Sequence, residues 1–409
     1  MTAARPSSSP DAAAAAPLRP RAASSLALRV AGVVAVASVL RPPIAGVGPV
    51  LAEIRADLGL SATTVSVVTA LPVLCFGAGA FAGPAVARRL GVDRAIAAVL
   101  LALAAGLVVR VAGGPALLVA GTVVAGGAIA VANVLLPAVV KQDFPSRVGI
   151  VTGVYTATLS GVAALAALLA VPLADWTGQG WRGSLLVWGG VTVAALLVWL
   201  PQLPRRRTAA EPAAAPAPAR QLLRNHRALA LTAYMGLQSA CFYSMLTWLP
   251  SLLTDNGWSP VAAGALTSLM TVIGIPAGLV VPPLAARAAD QRLLTLGVSA
   301  VIGAGFLGLL VAPQAATLLW VLLLGVGLGA SFPIALLLVV LRASTTAVTG
   351  QLSAMSQGFG YLFAAAGPFV VGAVREATGS WGPALGVLLA VVVAQAGAGW
   401  VAGRAGHAA

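Results

Sequence analysis

The chain has 409 residues, of which 59% are hydrophobic and only 8% charged. A water-soluble domain carries about 25% charged residues, so that class is excluded for the bulk of the chain. The formal charge of +14 is then read from where the charges fall along the chain, and no nucleic-acid partner is expected.

The first residues, 1–25, are rich in Ala, Pro, Ser and Arg and read as a disordered tail. The apolar run that follows is too long for a signal-peptide core, so no cleavable signal is expected. A bilayer helix needs about 20 apolar residues. Long uninterrupted apolar runs of this kind read as helices rather than strands. They fall near Leu26–Ala52, Ala62–Val86, Ala95–Val111, Ala116–Val140, Val148–Leu173 and Gly183–Leu200, then Ala228–Leu253, Val261–Leu284, Leu293–Val311, Thr317–Leu341, Thr346–Val374 and Pro383–Val401. The expected fold is an all-α integral membrane protein of twelve transmembrane helices. Residues 26–200 form one six-helix half, 201–227 a polar linker, 228–402 a second half and 403–409 a tail. Cys75 and Cys241 lie inside apolar runs and read as free thiols without a disulfide or metal role.

Of the 24 Lys and Arg residues, 19 fall on the side of the N-terminus and four on the other, at Arg55, Arg110, Arg182 and Arg375; Arg41 lies within a span. Positive loops stay in the cytoplasm, so both termini and the linker are expected there. The halves also overlap in sequence. At an offset of 198, Asp57 falls on Asp255, Pro84 on Pro282 and Arg89 on Arg287; at 201, Lys141 falls on Arg342 and Thr177-Gly178 on Thr378-Gly379. Six helices return the chain to its starting side, so the repeat is parallel, and a solute site is expected between the halves near the midplane.

These features resemble the major facilitator superfamily. Its loop between helices 2 and 3 carries a glycine, an acid and several basic residues, and here Gly83, Arg88, Arg89, Gly91, Asp93 and Arg94 match it loosely. The second copy is Arg287, Asp290 and Arg292. The resemblance makes Arg88, Arg89, Arg94, Arg287, Asp290 and Arg292 candidate gating residues. A narrower similarity, to the cyanate / 2-nitroimidazole transporter family, is carried by Leu40-Arg41-Pro42-Pro43 with Gly48-Pro49, by Thr69-Ala-Leu-Pro72 and by Leu136-Pro137-Ala-Val-Val-Lys141. It continues through Gly236-Leu-Gln238-Ser239 to Trp248-Leu-Pro250, and ends with Gln357-Gly-Phe-Gly360-Tyr361 and Gly367-Pro368. It implies transport of a small anion or small polar heterocycle across the cell membrane, by a carrier that works as a monomer.

Arg41 is the most informative residue. Twelve residues beyond Arg29, at about 1.5 Å each, it lies roughly 18 Å deeper in a core about 30 Å thick. A central arginine costs about 2.5–3.5 kcal/mol to insert. It either faces a cavity and attracts an anion, or satisfies the carbonyls of Ser38 and Val39, which Pro42 and Pro43 leave without donors. The repeat sets Ser239 opposite Arg41, next to Gln238, with Tyr243 on the same face. Gln238 either binds solute or a neighbouring helix. Gln357 and Tyr361, spaced i, i+4, share a face, and Asn133 and Tyr155 are further polar candidates. Trp248 reads as an interfacial belt residue or a gate.

None of the ten acidic residues lies deep in a span, and neither His226 nor His407 does. No metal cluster, nucleotide loop or nucleophile–His–acid set is found, so neither an enzyme nor a cofactor is expected. A multidrug exporter of the same fold is the alternative, and a receptor or scaffold without transport a third reading. Single cysteines placed at Ala209 and Ala408 should react only with reagents that reach the cytoplasm; labelling from outside intact cells would overturn the topology.

Overall fold

The computed structural model describes residues 26–60, 62–203 and 219–407. The 1–25 tail and most of the 201–227 linker, Arg205-Arg206-Arg207 included, lie outside the described residues. Every described element is helical. The first span is broken into α1 (Leu26–Leu40), α2 (Pro42–Ala45) and α3 (Val47–Leu58). The second is α4 (Ala62–Ala80) with α5 (Gly83–Leu90), bent by 53°. Then come α6 (Val92–Val111), α7 (Pro115–Asp143), α8 (Val148–Thr177), α9 (Gly180–Trp199) and the single turn α10 (Ala219–Leu222). The second half is α11 (His226–Asp255), α12 (Pro260–Arg287), α13 (Arg292–Val311), α14 (Thr317–Arg342), α15 (Thr346–Thr378) and α16 (Trp381–Ala402).

Among the described residues ten helices are long and apolar enough to cross a bilayer, and the bent α4–α5 pair makes an eleventh. The twelfth is α11. Its 30 residues reach about 45 Å, and Tyr234, Gln238, Ser239, Tyr243 and Ser244 interrupt its apolar run. The chain is therefore a multi-pass membrane protein of two six-helix repeats.

Two sequence expectations are corrected. Residues 83–94 do not form a loop: 83–90 are helical, with Pro84 in the first turn and Gly91, at φ 78°, ending it. Proline preset for a helix start and glycine free to take positive φ explain both limits. Arg88 and Arg89 thus sit in a helical last turn, where cations suit the helix dipole. Arg110, counted among the opposite loops, lies in the last turn of α6 and is 3% exposed. A hydropathy count cannot see that the end of this helix is covered.

The repeat is clearest at the face away from the termini. Asp57 accepts from Trp181 Nε1 at 3.1 Å and from Arg182 Nη1 at 2.5 Å. Asp255 accepts from Trp381 Nε1 at 2.8 Å and from Arg375 Nη2 at 3.0 Å. Asp57 ties the end of its half's first span to α9, and Asp255 ties the end of its own to α15 and α16. Gly178 and Gly379, at φ 63° and 69°, end α8 and α15 at matching places.

Between the halves, α4 packs on α15, α8 on α12, and α7 on α14 and α15. These contacts lie toward the termini face. A Cβ added to Gly149 would lie 2.7 Å from Pro282 O, and one on Gly153 3.0 Å from Leu279 O. Phe81 and Phe359 stack edge-on at 5.0 Å. Lys141 Nζ crosses from α7 to donate to Val340 O at 3.0 Å and Ala343 O at 2.6 Å. Gly161, farther along α8, faces open space. The halves are closed at the termini face and parted toward the other.

Lys141→Met removes a charge-assisted pair of bonds of the kind that contributes about 1.5–3 kcal/mol. The ratio of termini-open to termini-closed molecules should rise about tenfold or more. Spin labels at Arg89 and Arg287, exposed on opposite halves, report this as a longer distance; an unchanged distribution would exclude Lys141 as a lock.

Candidate functional site

The break in the first span is set by sequence. Pro42 and Pro43 occupy the first turn of α2, and Arg41 sits just before them at φ −108°. The amides of Ile44 and Ala45 both donate to Arg41 O, at 3.0 Å, so the turn restarts on the arginine's own carbonyl. The Arg41 side chain is half-buried and points between the halves. Its guanidinium lies 5.6 Å from the Phe332 ring centre on α14, a cation–π arrangement, and beside the side chains of Tyr243 on α11 and Tyr361 on α15.

These groups border a cavity between the two halves. Its walls are Arg41 from the first span, α8 around Thr156 and Ser160, α11 from Gln238 to Tyr243, α12 around Thr271, and Phe332 and Tyr361. Arg41 is the one charged side chain in that lining among the described residues.

The Arg41 guanidinium borders the cavity, and a second arginine serves the break: Arg110 Nη1 donates to Pro43 O at 2.6 Å. Gly121 on α7 makes room for it, since a Cβ there would lie 2.3 Å from the Arg110 amide nitrogen.

The sequence candidates divide. Arg41, Gln238, Ser239, Tyr243 and Tyr361 line the cavity. Gln238 is 1% exposed, and its Nε2 donates to Ser239 Oγ at 2.6 Å and Met235 O at 3.1 Å, so it serves its own helix as well as the wall. Asn133, Tyr155 and Gln357 do not line the cavity. They are buried between the halves, toward the termini face, where Gln357 Nε2 donates to Asn133 O at 3.1 Å. Trp248 is tied across to α15 through Pro368 O at 2.8 Å. Among the gating candidates, Arg292 pairs with Asp290 at 3.5 Å and stacks on Trp400 at 5.2 Å. Arg88, Arg89 and Arg287 are exposed and Arg94 half-buried.

Sequence reasoning missed Phe332, Thr156, Ser160 and Thr271. Thr156 and Ser160 stand one turn apart on a single face, a pattern that could have been read; Phe332 carries no signal before the fold brings it under Arg41. Among the described residues no acidic side chain lines the cavity: Glu53 accepts the Trp181 amide at 3.0 Å, and Asp143 pairs with Arg29 at 2.7 Å. No group of metal-ligating side chains occurs among the described residues.

A central cavity between two six-helix repeats is the arrangement of one large family of carriers, and residues 35–368 match the sequence profile of the Major Facilitator Superfamily. The chain is a member of that superfamily. It is 36% identical to the 2-nitroimidazole transporter of Escherichia coli (strain K12) over 361 residues, covering 88% of this chain and 91% of the relative. It is 31% identical to the cyanate transport protein CynX of the same organism, with 84% and 88% covered. The solved proton:xylose symporter XylE superimposes with a TM-score of 0.71 at 12% identity, covering 91% of this chain and 94% of the symporter, which speaks to the shared fold. The family and these relatives are membrane transporters rather than enzymes.

Glu53 is held at the rim by a main-chain amide rather than in the cavity, so Glu53→Gln should leave transport within about twofold of the parent. Proteoliposome flux measured with and without a pH gradient checks this; abolished proton-coupled flux in a normally folded variant would give Glu53 a relay role.

Proposed function

We propose that the chain is a secondary carrier, active or facilitative, that moves a small anion or a small polar heterocycle across the cytoplasmic membrane by alternating access. The observation that carries the reading is the Arg41 guanidinium, held over Phe332 and between Tyr243 and Tyr361, in a cavity lined by no acidic side chain among the described residues. An intramembrane arginine marks a solute pathway by default, and its planar fork of donors suits a carboxylate or another flat anion. The similarity to cyanate and 2-nitroimidazole transporters points to the same substrate class.

In this reading residues 26–200 and 228–402 are the rocking halves, 201–227 joins them and the termini lie in the cytoplasm, as the basic bias requires. The cavity then faces outward in the state described here. The carrier works as a monomer, since the cavity is completed by the halves of one chain. A multidrug exporter for cations would want a buried acid, and the charge in this cavity has the opposite sign.

Arg41→Lys keeps the charge but loses the two-pronged donor set and should weaken anion binding about tenfold; Arg41→Gln should weaken it about 10- to 100-fold, the scale of bonds to a charged group. Affinity for cyanate and 2-nitroimidazole and the melting temperature are measured on the same purified variants. An Arg41→Gln protein with unchanged affinity and reduced stability would make Arg41 a structural residue and move the site away from it.

A further inference from the structure

Asn133, Tyr155 and Gln357 share a property that the fold alone does not account for. They are 6%, 2% and 1% exposed, and Asn133 Nδ2, Tyr155 OH and Gln357 Oε1 have no hydrogen-bond partner among the described residues. Thr152 Oγ1, at 0% exposure, and Tyr361 OH, at 2%, are in the same state. Buried polar groups are nearly always paired; other side chains here, such as Ser244 and Gln395, also keep an unpaired atom, but these five are set apart by being connected. Gln357 Nε2 donates to Asn133 O at 3.1 Å and to Ser353 Oγ at 2.8 Å. Tyr361 stands one turn beyond Gln357 on the same face. Tyr155 is close enough to Tyr361 to interact electrostatically, and Tyr361 to Arg41. Thr152 is one turn before Tyr155.

The groups therefore run from Arg41, through Tyr361 in the cavity wall, down into the closed seam. Their chemistry differs from that of the cavity mouth. Asn133 Nδ2 offers a donor, Gln357 Oε1 an acceptor, and the two phenols and the threonine can do either; none carries charge. Arg41 offers donors and a full positive charge. Phe76 packs against the Tyr361 ring with centroids 5.7 Å apart, and Phe332 lies under Arg41, so flat apolar surface lines the way between the two ends.

We propose that Asn133, Tyr155 and Gln357, with Tyr361 as their roof, form a neutral subsite continuous with the cavity, which takes the uncharged hydrogen-bonding end of a two-ended planar solute while its anionic end sits at Arg41. The proposal rests on the anion reading of Arg41. It narrows the substrate class to flat organic anions with a donor or acceptor opposite the charge. A linear anion of cyanate size fills only the Arg41 end. Because Asn133 and Tyr155 belong to one half and Gln357 and Tyr361 to the other, such a solute bridges the seam that must open for release.

The test uses benzoate and 4-hydroxybenzoate, which share a carboxylate and differ by one para hydroxyl. Their affinities are measured by calorimetry on the purified full chain, on Tyr155→Phe, on Gln357→Leu and on Arg41→Gln. The parent protein should bind 4-hydroxybenzoate about five- to tenfold more tightly than benzoate, the scale of one neutral hydrogen bond. Tyr155→Phe and Gln357→Leu should erase that preference while leaving benzoate affinity within about twofold, which also reports an intact fold. Equal losses for both ligands in these variants, or no preference in the parent, would overturn the subsite. Arg41→Gln should weaken both ligands alike. If it leaves both unchanged, the anion reading fails and the subsite with it, a result that the seam variants cannot mimic.

Discussion

The structure depends on how a helix can be broken inside lipid. Backbone donors and acceptors in a bilayer have no water to turn to, so a break survives only where protein supplies the missing partners. At residues 41–46 the chain does this twice. Arg41 O accepts two amides of the following turn, and Arg110 reaches from α6 to take Pro43 O. Arg110 serves the main chain at the break, while the Arg41 guanidinium borders the cavity.

A second theme is symmetry at the edges and asymmetry at the centre. The Asp57 and Asp255 clusters are near copies, each with a tryptophan and an arginine. The positions that line the cavity have diverged: Arg41 lies opposite Ser239. So have those that close the termini face. Lys141 binds the other half's carbonyls, whereas Arg342, its counterpart, stays at home with Ala402 O, Gly403 O and Gln291. Deep in the second half, Gln395 joins Ser299 and Ser331 at 3.2 and 3.4 Å. The paired clusters are duplicated scaffolding, while the cavity arginine and the Lys141 contacts occur in one half alone.

Much of this was legible in the sequence for a physical reason. Apolar runs, the offset of 198 to 201 and the basic bias are one-dimensional signals, and they gave the spans and the repeat. Arg41, Gln238, Ser239 and Tyr243 stood out because polar side chains in lipid are rare. Other features needed three dimensions. Arg110 looked like a loop cation because burial of a helix end depends on a neighbour's glycine, Gly121. Phe332 is one apolar residue among many until α14 is placed. The helical 83–90 segment was hidden because its basic residues resembled a polar connection, although Pro84 and Gly91 already marked its ends. The division of the candidates between cavity and seam follows from helix rotation, which spacing along a single helix cannot fix.

The two seams that close the termini face are built of different material. Along α8 and α12 the contact is nearly main chain on main chain, with Gly149 and Gly153 seated against the carbonyls of Pro282 and Leu279. A glycine has no rotamers to freeze or release, so these surfaces can part and meet again without repacking. Along α4 and α15 the contact is interlocked: Phe81 meets Phe359, and Gly77 is covered by Leu362. Separation there requires side chains to withdraw from one another and find new neighbours. If the halves rock as proposed, the first seam would act as a smooth bearing and the second as a detent, and the activation barrier would be concentrated on one side of the molecule.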